Sequence, residues 1–535
     1  MSVSRRSFLR LAGGLGLVGA TAGLHLVDLG PRPQTGSLLR SGRPLPRPFA
    51  VPLPVPAVAR PAESTGDVDR YEIVQREADA EILPGTTTRV WGYDGTFPGP
   101  TIRARRGRPV EVRFRNELAV PTAVHLHGGH TPADSDGYPT DLVLPAGARA
   151  GRAGHGEHRD HGGEVVTGRR DHRYPLDQRA ATLWYHDHAM DVTGPHVYRG
   201  LAGFFLVGDD EDDALGLPGD ERELPLMIAD RAFDGDGAFL YPALSPDERP
   251  PGVEERFMAG VLGDVVLVNG APWPGHEVAR TTYRLRLLNA SNARRYELAL
   301  EADGDAGTRP LAFSQVGTDG GLLEAPRRRA TVTLAPAERA DVVVDFAAVP
   351  TGTRVVLANR LGRGSTARVM AFDVVRDGLD DAAVPERLGE VERLDPTEAV
   401  TTRTFAFQLQ RDPGAESGVG ADDTGLGPHR WMVSGRPFSP DHDHATPRLG
   451  DVEVWRFLTD LHHPVHVHLD HFQVLARNGR DPGPGDHGWK DTVDLLPGET
   501  CEVAVRFTDH AGRYVFHCHN LEHEDMAMMA NFSVS

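Results

Sequence analysis

From about Tyr71 onward the chain is built of short segments in which apolar and polar residues alternate. Val110, Val112 and Phe114 alternate with Glu111, Arg113 and Arg115. Tyr283, Leu285 and Leu287 alternate with Arg284 and Arg286. Cys501, Val503, Val505 and Phe507 alternate with Glu502, Ala504 and Arg506. Successive side chains of a strand point to opposite faces, so a period of two loads one face with apolar groups. With frequent Gly and Pro turns between them, such segments predict the half-buried strands of β-sandwiches. Two polar stretches interrupt the pattern: residues 209–221 (DDEDDALGLPGDE) and residues 377–400, which end near Pro396. Read as linkers, they leave three sandwich-sized parts, residues 67–208, 222–376 and 401–535. The expected fold class is all-β, and no short tandem repeat is present.

The N-terminus has a different texture. Ser4-Arg5-Arg6-Ser7-Phe8-Leu9-Arg10 carries paired arginines, a Gly/Ala/Leu run follows over residues 11–24, and Ala20-Thr21-Ala22 fits a small-residue cleavage site. This order predicts a twin-arginine signal peptide over residues 1–28. Residues 29–66, rich in Pro and Arg and without periodicity, read as an extended leader. No other apolar run approaches the ~20 residues needed to span a bilayer. The mature protein is therefore expected to be exported (periplasmic, cell-surface or secreted) with no membrane span. The twin-arginine route carries folded cargo.

At 535 residues the chain exceeds one ordinary core, and 39% hydrophobic with 25% charged residues is a globular composition. Lys+Arg 57 against Asp+Glu 76 gives a net charge of −19, which repels phosphate backbones and argues against a nucleic-acid partner. Two cysteines, Cys501 and Cys518, allow at most one bridge.

Four histidine clusters carry the chemistry: His125-Leu126-His127, His186-Asp187-His188, His463-Pro464-Val465-His466-Val467-His468 and His517-Cys518-His519. On a strand, H-x-H puts both imidazoles on one face, a spacing suited to neighbouring metal ions and not to one tetrahedral zinc. Two clusters lie early and two late, so the ligands would meet between the first and third sandwiches. In His517-Cys518-His519 the thiol faces away from its neighbours and would bind a different metal from theirs. Two His and one Cys with a weak axial Met is the blue-copper arrangement. His523 follows downstream, then Met526, Met528 and Met529, and His463 is available as the second nitrogen.

HLHGGH at 125–130, WYHDHAM at 184–190, HPVHVHLDHF at 463–472 and HCHNLEHEDMAMM at 517–529 resemble the four copper signatures of multicopper oxidases. TPADSDGYP, LLNASNARRY, GTDGGLLE and LAPAERADVVVDF resemble the bacterial spore-coat-type laccases and their bilirubin-oxidase relatives. The resemblance runs from about residue 70 to the C-terminus. It implies three cupredoxin-like Greek-key domains and four coppers. A type 1 copper would be held by His463, Cys518 and His523 with Met528 axial, and a type 2 copper by His125 and His466. Two type 3 coppers would be held by His127, His186, His188, His468, His517 and His519. It further implies dioxygen as acceptor, a small aromatic reductant as donor, and Asp136 and Glu524 as proton relays. A monomer is expected.

Other histidines read as loop residues: His155, His158, His161 and His172 in a Gly/Arg/His-rich stretch, His442 and His444, and His462 at the rim of the type 1 site. His471 resembles no ligand position. Cys501 reads as a small core residue, and Met526 and Met529 as packing neighbours of the axial ligand. Nine methionines and no Met-rich insertion within 350–455 disfavour a dedicated cuprous oxidase. A bilirubin-, phenoxazinone- or metal-ion-oxidising relative stays open, as does an exported copper-binding or structural protein without turnover.

Overall fold

In the computed structural model the described residues are 34–148, 163–244, 252–303, 311–379, 382–411 and 429–535. Residues 1–28, read as a signal peptide, and His155, His158 and His161 lie outside them. Among the described residues six major sheets pair into three sandwiches. The first faces a five-stranded sheet that includes Asp69–Ala80, Val110–Asn116 and Arg169–Tyr174 against a four-stranded sheet ordered Gly99–Arg105, Ala202–Gly208, Ala181–Asp187, Val124–His127. The second joins a seven-stranded sheet around Glu223–Arg231, Thr282–Asn289 and Arg339–Asp345 to a five-stranded one. The third joins two five-stranded sheets, one of which carries His463–Val467 beside Gly512–Cys518. Each sandwich has its own apolar core. These are the three cupredoxin domains expected, with parallel and antiparallel pairs mixed; Asp69–Ala80, for example, runs parallel to Val110–Asn116.

Alternation translates into burial where one face meets solvent. In Val110–Asn116 the apolar positions are buried and Glu111, Arg113 and Arg115 only partly so. In Thr282–Asn289 both faces are covered, and Arg284 and Arg286 are buried with their apolar neighbours. The reason lies in the stretch read as the first linker. Residues Asp210–Ala214 form a short helix capped by the Asp209 side chain, and it turns Asp212 inward onto Arg284 at 2.8 Å. Asp341 and Glu223 complete the network, with Arg286 Nε donating to Glu223 at 2.6 Å. A buried cation is retained only when its donors are met, and here they are. The second linker also packs, through buried Leu388 and Leu394.

From residue 34 on, the stretch read as a leader is extended but pinned. Ser37–Leu38 pairs with Val261–Leu262, Pro52 bridges to Gly275 and Val58 to Thr101. His172 corrects the loop reading. It sits on the strand Arg169–Tyr174, buried, with Nδ1 3.0 Å from the Ser135 carbonyl, and burial lowers its pKa to about 4. Among the described residues no helix is long and apolar enough to cross a membrane.

Candidate metal centres between the first and third sandwiches

Two strand pairs deliver the histidines. Val124–His127 lies antiparallel to Ala181–Asp187 with His125 opposite His186, and His463–Val467 lies antiparallel to Gly512–Cys518 with His466 opposite His517. Each strand points alternate residues at the gap between the sandwiches. There His127 stacks on His466 with ring centroids 3.7 Å apart, and His125 on His468 at 3.9 Å. All eight imidazoles of this cluster are buried. Their nitrogens converge on three points, one among His125, His127 and His466, one among His127, His186 and His519, and one among His188, His468 and His517.

Each of these rings but two has one nitrogen engaged and the other aimed inward. His125 Nδ1 donates to the Asp136 carbonyl at 2.6 Å and His466 Nδ1 to the Asp491 carbonyl at 2.9 Å. Both Nε2 atoms therefore carry lone pairs, and they face each other at 3.4 Å. His468 Nδ1 is 2.7 Å from Asp136 Oδ2 and His517 Nδ1 is 3.1 Å from Glu524 Oε2, leaving their Nε2 atoms opposed at 3.3 Å. His127 engages Asp491 through Nε2, and His186 the Asp187 carbonyl through Nδ1. Buried lone pairs opposed in this way are unfavourable unless a cation lies between them. Two nitrogens each about 2.0 Å from one ion at a tetrahedral angle stand about 3.3 Å apart. Among the exceptions, both nitrogens of His519 are buried without a hydrogen-bond partner. The donor set fits metal.

Burial, followed by the mutual repulsion of neighbouring imidazolium charges, holds His125, His468 and His519 well below the usual histidine range. The same causes bring His186 to about 3. Neutral imidazoles are the ligand form. Burial, with a smaller push from the Asp141 charge and against the Thr131 hydrogen bond, raises Asp136 well above the carboxylate range. For Glu524 burial acts upward as well, but the His517 and His188 rings prevail and keep it low.

The alternation at His517-Cys518-His519 sends the sulfur the other way. Cys518 Sγ lies 3.4 Å from His463 Nδ1 and 3.5 Å from His523 Nδ1, and these nitrogens are 3.1 Å apart. His463 Nε2 is committed to Asp460 at 3.0 Å. Burial pushes the Cys518 thiol far up, so a thiolate there requires a cation. After the one-turn helix Leu521–Asp525, Ala527 takes a φ of 72° and the chain folds back, burying Met528 in the apolar cluster that holds Cys518. Met526 shares that cluster, while Met529 packs apart with Tyr138 and Val515. The Trp431 indole stacks on His523 at 3.9 Å and meets His463 edge-on at 5.7 Å, walling the pocket.

The structure thus brings together the ten histidines and the cysteine expected to bind metal, with Met528 in the apolar cluster that holds Cys518 and with Asp136 and Glu524 beside the larger cluster. Three histidine readings change. His462 is not on a rim: it is buried, 2.5 Å from Asp494, which also binds Arg295. His444 sits on the strand Asp443–Ala445 and is partly buried, and His172 is the strand residue described above. Cys501 is buried in the third core as expected.

Sequence reasoning missed Asp491, Arg339 and Trp431. Asp491 holds His127 through its side chain and His466 through its carbonyl, and it accepts from Arg339 Nη1 at 2.7 Å. Arg339 belongs to the second sandwich, which supplies no histidine to either centre. Its segment was legible only as part of a resemblance, since no spacing links it to the histidines.

Three β-sandwiches with a buried multi-histidine cluster across the first–third interface, and a Cys-His-His pocket one residue away, define a copper oxidase. Multicopper oxidase family models match residues 411–535 and residues 75–149 with 166–212. A laccase of Bacillus subtilis (strain 168) is 34% identical over 91% of this chain and 98% of its own. A bilirubin oxidase of Albifimbria verrucaria is 33% identical over 91% and 81%. The crystal structure of a multi-copper oxidase from Pediococcus acidilactici superposes with a TM-score of 0.76 at 29% identity, covering 93% of this chain and 94% of that one. The chain belongs to the multicopper oxidase family, whose members couple a reductant to dioxygen, and its buried histidine clusters are consistent with type 1 and trinuclear copper sites.

Proposed function

We propose that the chain is a laccase-type oxidase. It takes single electrons from phenolic or aromatic-amine donors and reduces one dioxygen to two waters with four electrons and four protons. In this reading His463, Cys518, His523 and axial Met528 hold the type 1 copper, and His125 and His466 the type 2. His127, His186, His188, His468, His517 and His519 hold the type 3 pair, making four coppers per chain. Copper, when bound, supplies the one-electron steps and the reduction of dioxygen.

The protein's own contribution is positioning and proton handling. Cys518 is covalently joined to His517 and His519, so one strand's backbone connects the two centres by the shortest route. Asp136 can hold a proton at a carboxylate oxygen 2.7 Å from His468 Nδ1, and the Glu524 carboxylate, kept ionised by the His517 and His188 rings, can accept one 3.1 Å from His517 Nδ1. Oxygen reduction consumes protons beside the cluster, and these two acids are within reach of it. Trp431 excludes water from His523.

The observation that carries the reading is the opposed facing of Cys518 and its two histidine neighbours. Phenolic donors are favoured by the relatives named laccases; the bilirubin oxidase at similar identity supports bilirubin as a second donor class. Copper quantitation with a visible spectrum, then oxygen uptake on phenols, bilirubin and Mn(II), tests it. Near four coppers, intense blue colour and preferential uptake on phenols are expected; a blue protein that consumes no oxygen on any donor overturns it. Unchanged oxygen reduction in Asp136→Asn at neutral pH removes that residue from the relay. Export by the twin-arginine route belongs to the same proposal, and replacing Arg5 and Arg6 by Lys should retain the protein inside the cell.

A further inference from the structure

Outside the two centres, one group of side chains combines histidines with carboxylates where three loops meet. His130 follows the strand Val124–His127, Asp470 follows His468, and Asp509 and His510 lie between the strands Thr500–Arg506 and Gly512–Cys518. His130 Nε2 is 2.6 Å from Asp509 Oδ1. The same oxygen is 3.8 Å from His510 Nε2, and the two imidazole rings are 4.7 Å apart. Behind His130, its Nδ1 is buried without an aligned hydrogen bond, 3.1 Å from Asp470 Oδ1. Asp470 is itself fixed, accepting the Thr508 N–H at 3.1 Å.

Two imidazole nitrogens within 3.8 Å of one carboxylate oxygen offer a donor set for a divalent transition metal with open coordination positions. A carboxylate behind the non-coordinating nitrogen is the usual device that orients such a histidine. Ligand atoms about 2.0–2.2 Å from one ion stand roughly 3–3.5 Å apart, between the 2.6 and 3.8 Å observed. Asp509 is 53% and His510 20% exposed, so small rotations close the difference.

We propose that His130 Nε2, Asp509 and His510 form an additional metal site for a borderline divalent cation such as Zn2+ or Cu2+, with Asp470 orienting His130. The ligands come from the first and third sandwiches, so the ion cross-links the two domains just outside the histidine cluster. This site is independent of the oxidase reading and uses none of its ligands.

Zn2+ is the probe, being redox-inert and separable from the blue colour. Copper-loaded wild type, Asp509→Asn and His510→Ala are each titrated with Zn2+ by calorimetry, and their Tm is followed with and without the ion. Wild type should bind one equivalent more than either variant, with a Tm rise that both variants lose and an unchanged visible spectrum throughout. Adventitious binding, at His155, His158 or His161 for instance, cancels in the difference. Asp509 is exposed and His510 partly so, and the visible spectra of both variants report folding directly. Equal Zn2+ stoichiometry and equal Tm shifts in all three proteins would overturn the proposal and leave His130–Asp509 a proton-held ion pair.

Discussion

Asp491 shows how much of the cluster's geometry depends on one residue that binds no metal in the proposed scheme. It fixes His127 from the first sandwich and His466 from the third, and Arg339 from the second holds it. In Asp491→Asn an amide replaces one acceptor, so the Arg339 guanidinium and His127 Nε2 compete for the other. Cluster copper affinity or turnover should fall by about 10–100-fold, while the blue band persists; copper content and the visible spectrum of the same sample check this. His130 supplies a pH signal at the same scale. Burial opposes its charge, but Asp470 and Asp509 prevail and raise its pKa to about 9, against 6.5 for an ordinary histidine. A raised folded-state value means the stabilisation is complete below about pH 6.5 and lost as pH rises through about 9. Without added metal, the Tm of wild type should approach that of His130→Gln across that window, and parallel pH profiles would refute the assignment.

The strands Thr282–Asn289 and Arg339–Asp345 pair with Arg286 opposite Asp341, and Arg284 reaches the same carboxylate. Two buried guanidinium groups thus depend on Asp341 together with Asp212 and Glu223. Asp341→Ala leaves buried positive charge uncompensated and should cost about 3–5 kcal/mol of unfolding free energy, read from denaturant midpoints. Alternation in this strand was legible, yet its meaning was not. Arg284 and Arg286 sit where a solvent face was expected, and only the inward turn of Asp210–Ala214 explains their burial. His172 is the same lesson on a smaller scale: a polar-looking stretch became a strand because Phe114 and Ser135 lie across from it.

Across the whole molecule the centres depend on domains meeting. Metal that binds the folded state and not the unfolded chain stabilises it, by about 2.7 kcal/mol per site at 100 times Kd. Removing copper should therefore lower the calorimetric Tm, and readdition should restore it together with the blue colour. The opposed facing of Cys518 and its two histidine neighbours was determined by the sequence, because strand alternation is local and sends adjacent side chains to opposite faces whatever surrounds them. The all-β class and the histidine inventory were legible for the same reason: a period of two and an H-x-H spacing are properties of a few consecutive residues. Tertiary structure alone decided which rings share a focus, as His127 with His466, or His188 with His468 and His517. It also decided that Asp491 and Arg339 hold them, that Trp431 covers His523, and that His130 meets Asp509 and His510. Those are contacts between loops and sheets hundreds of residues apart, set by how three sandwiches pack, and no local pattern encodes them.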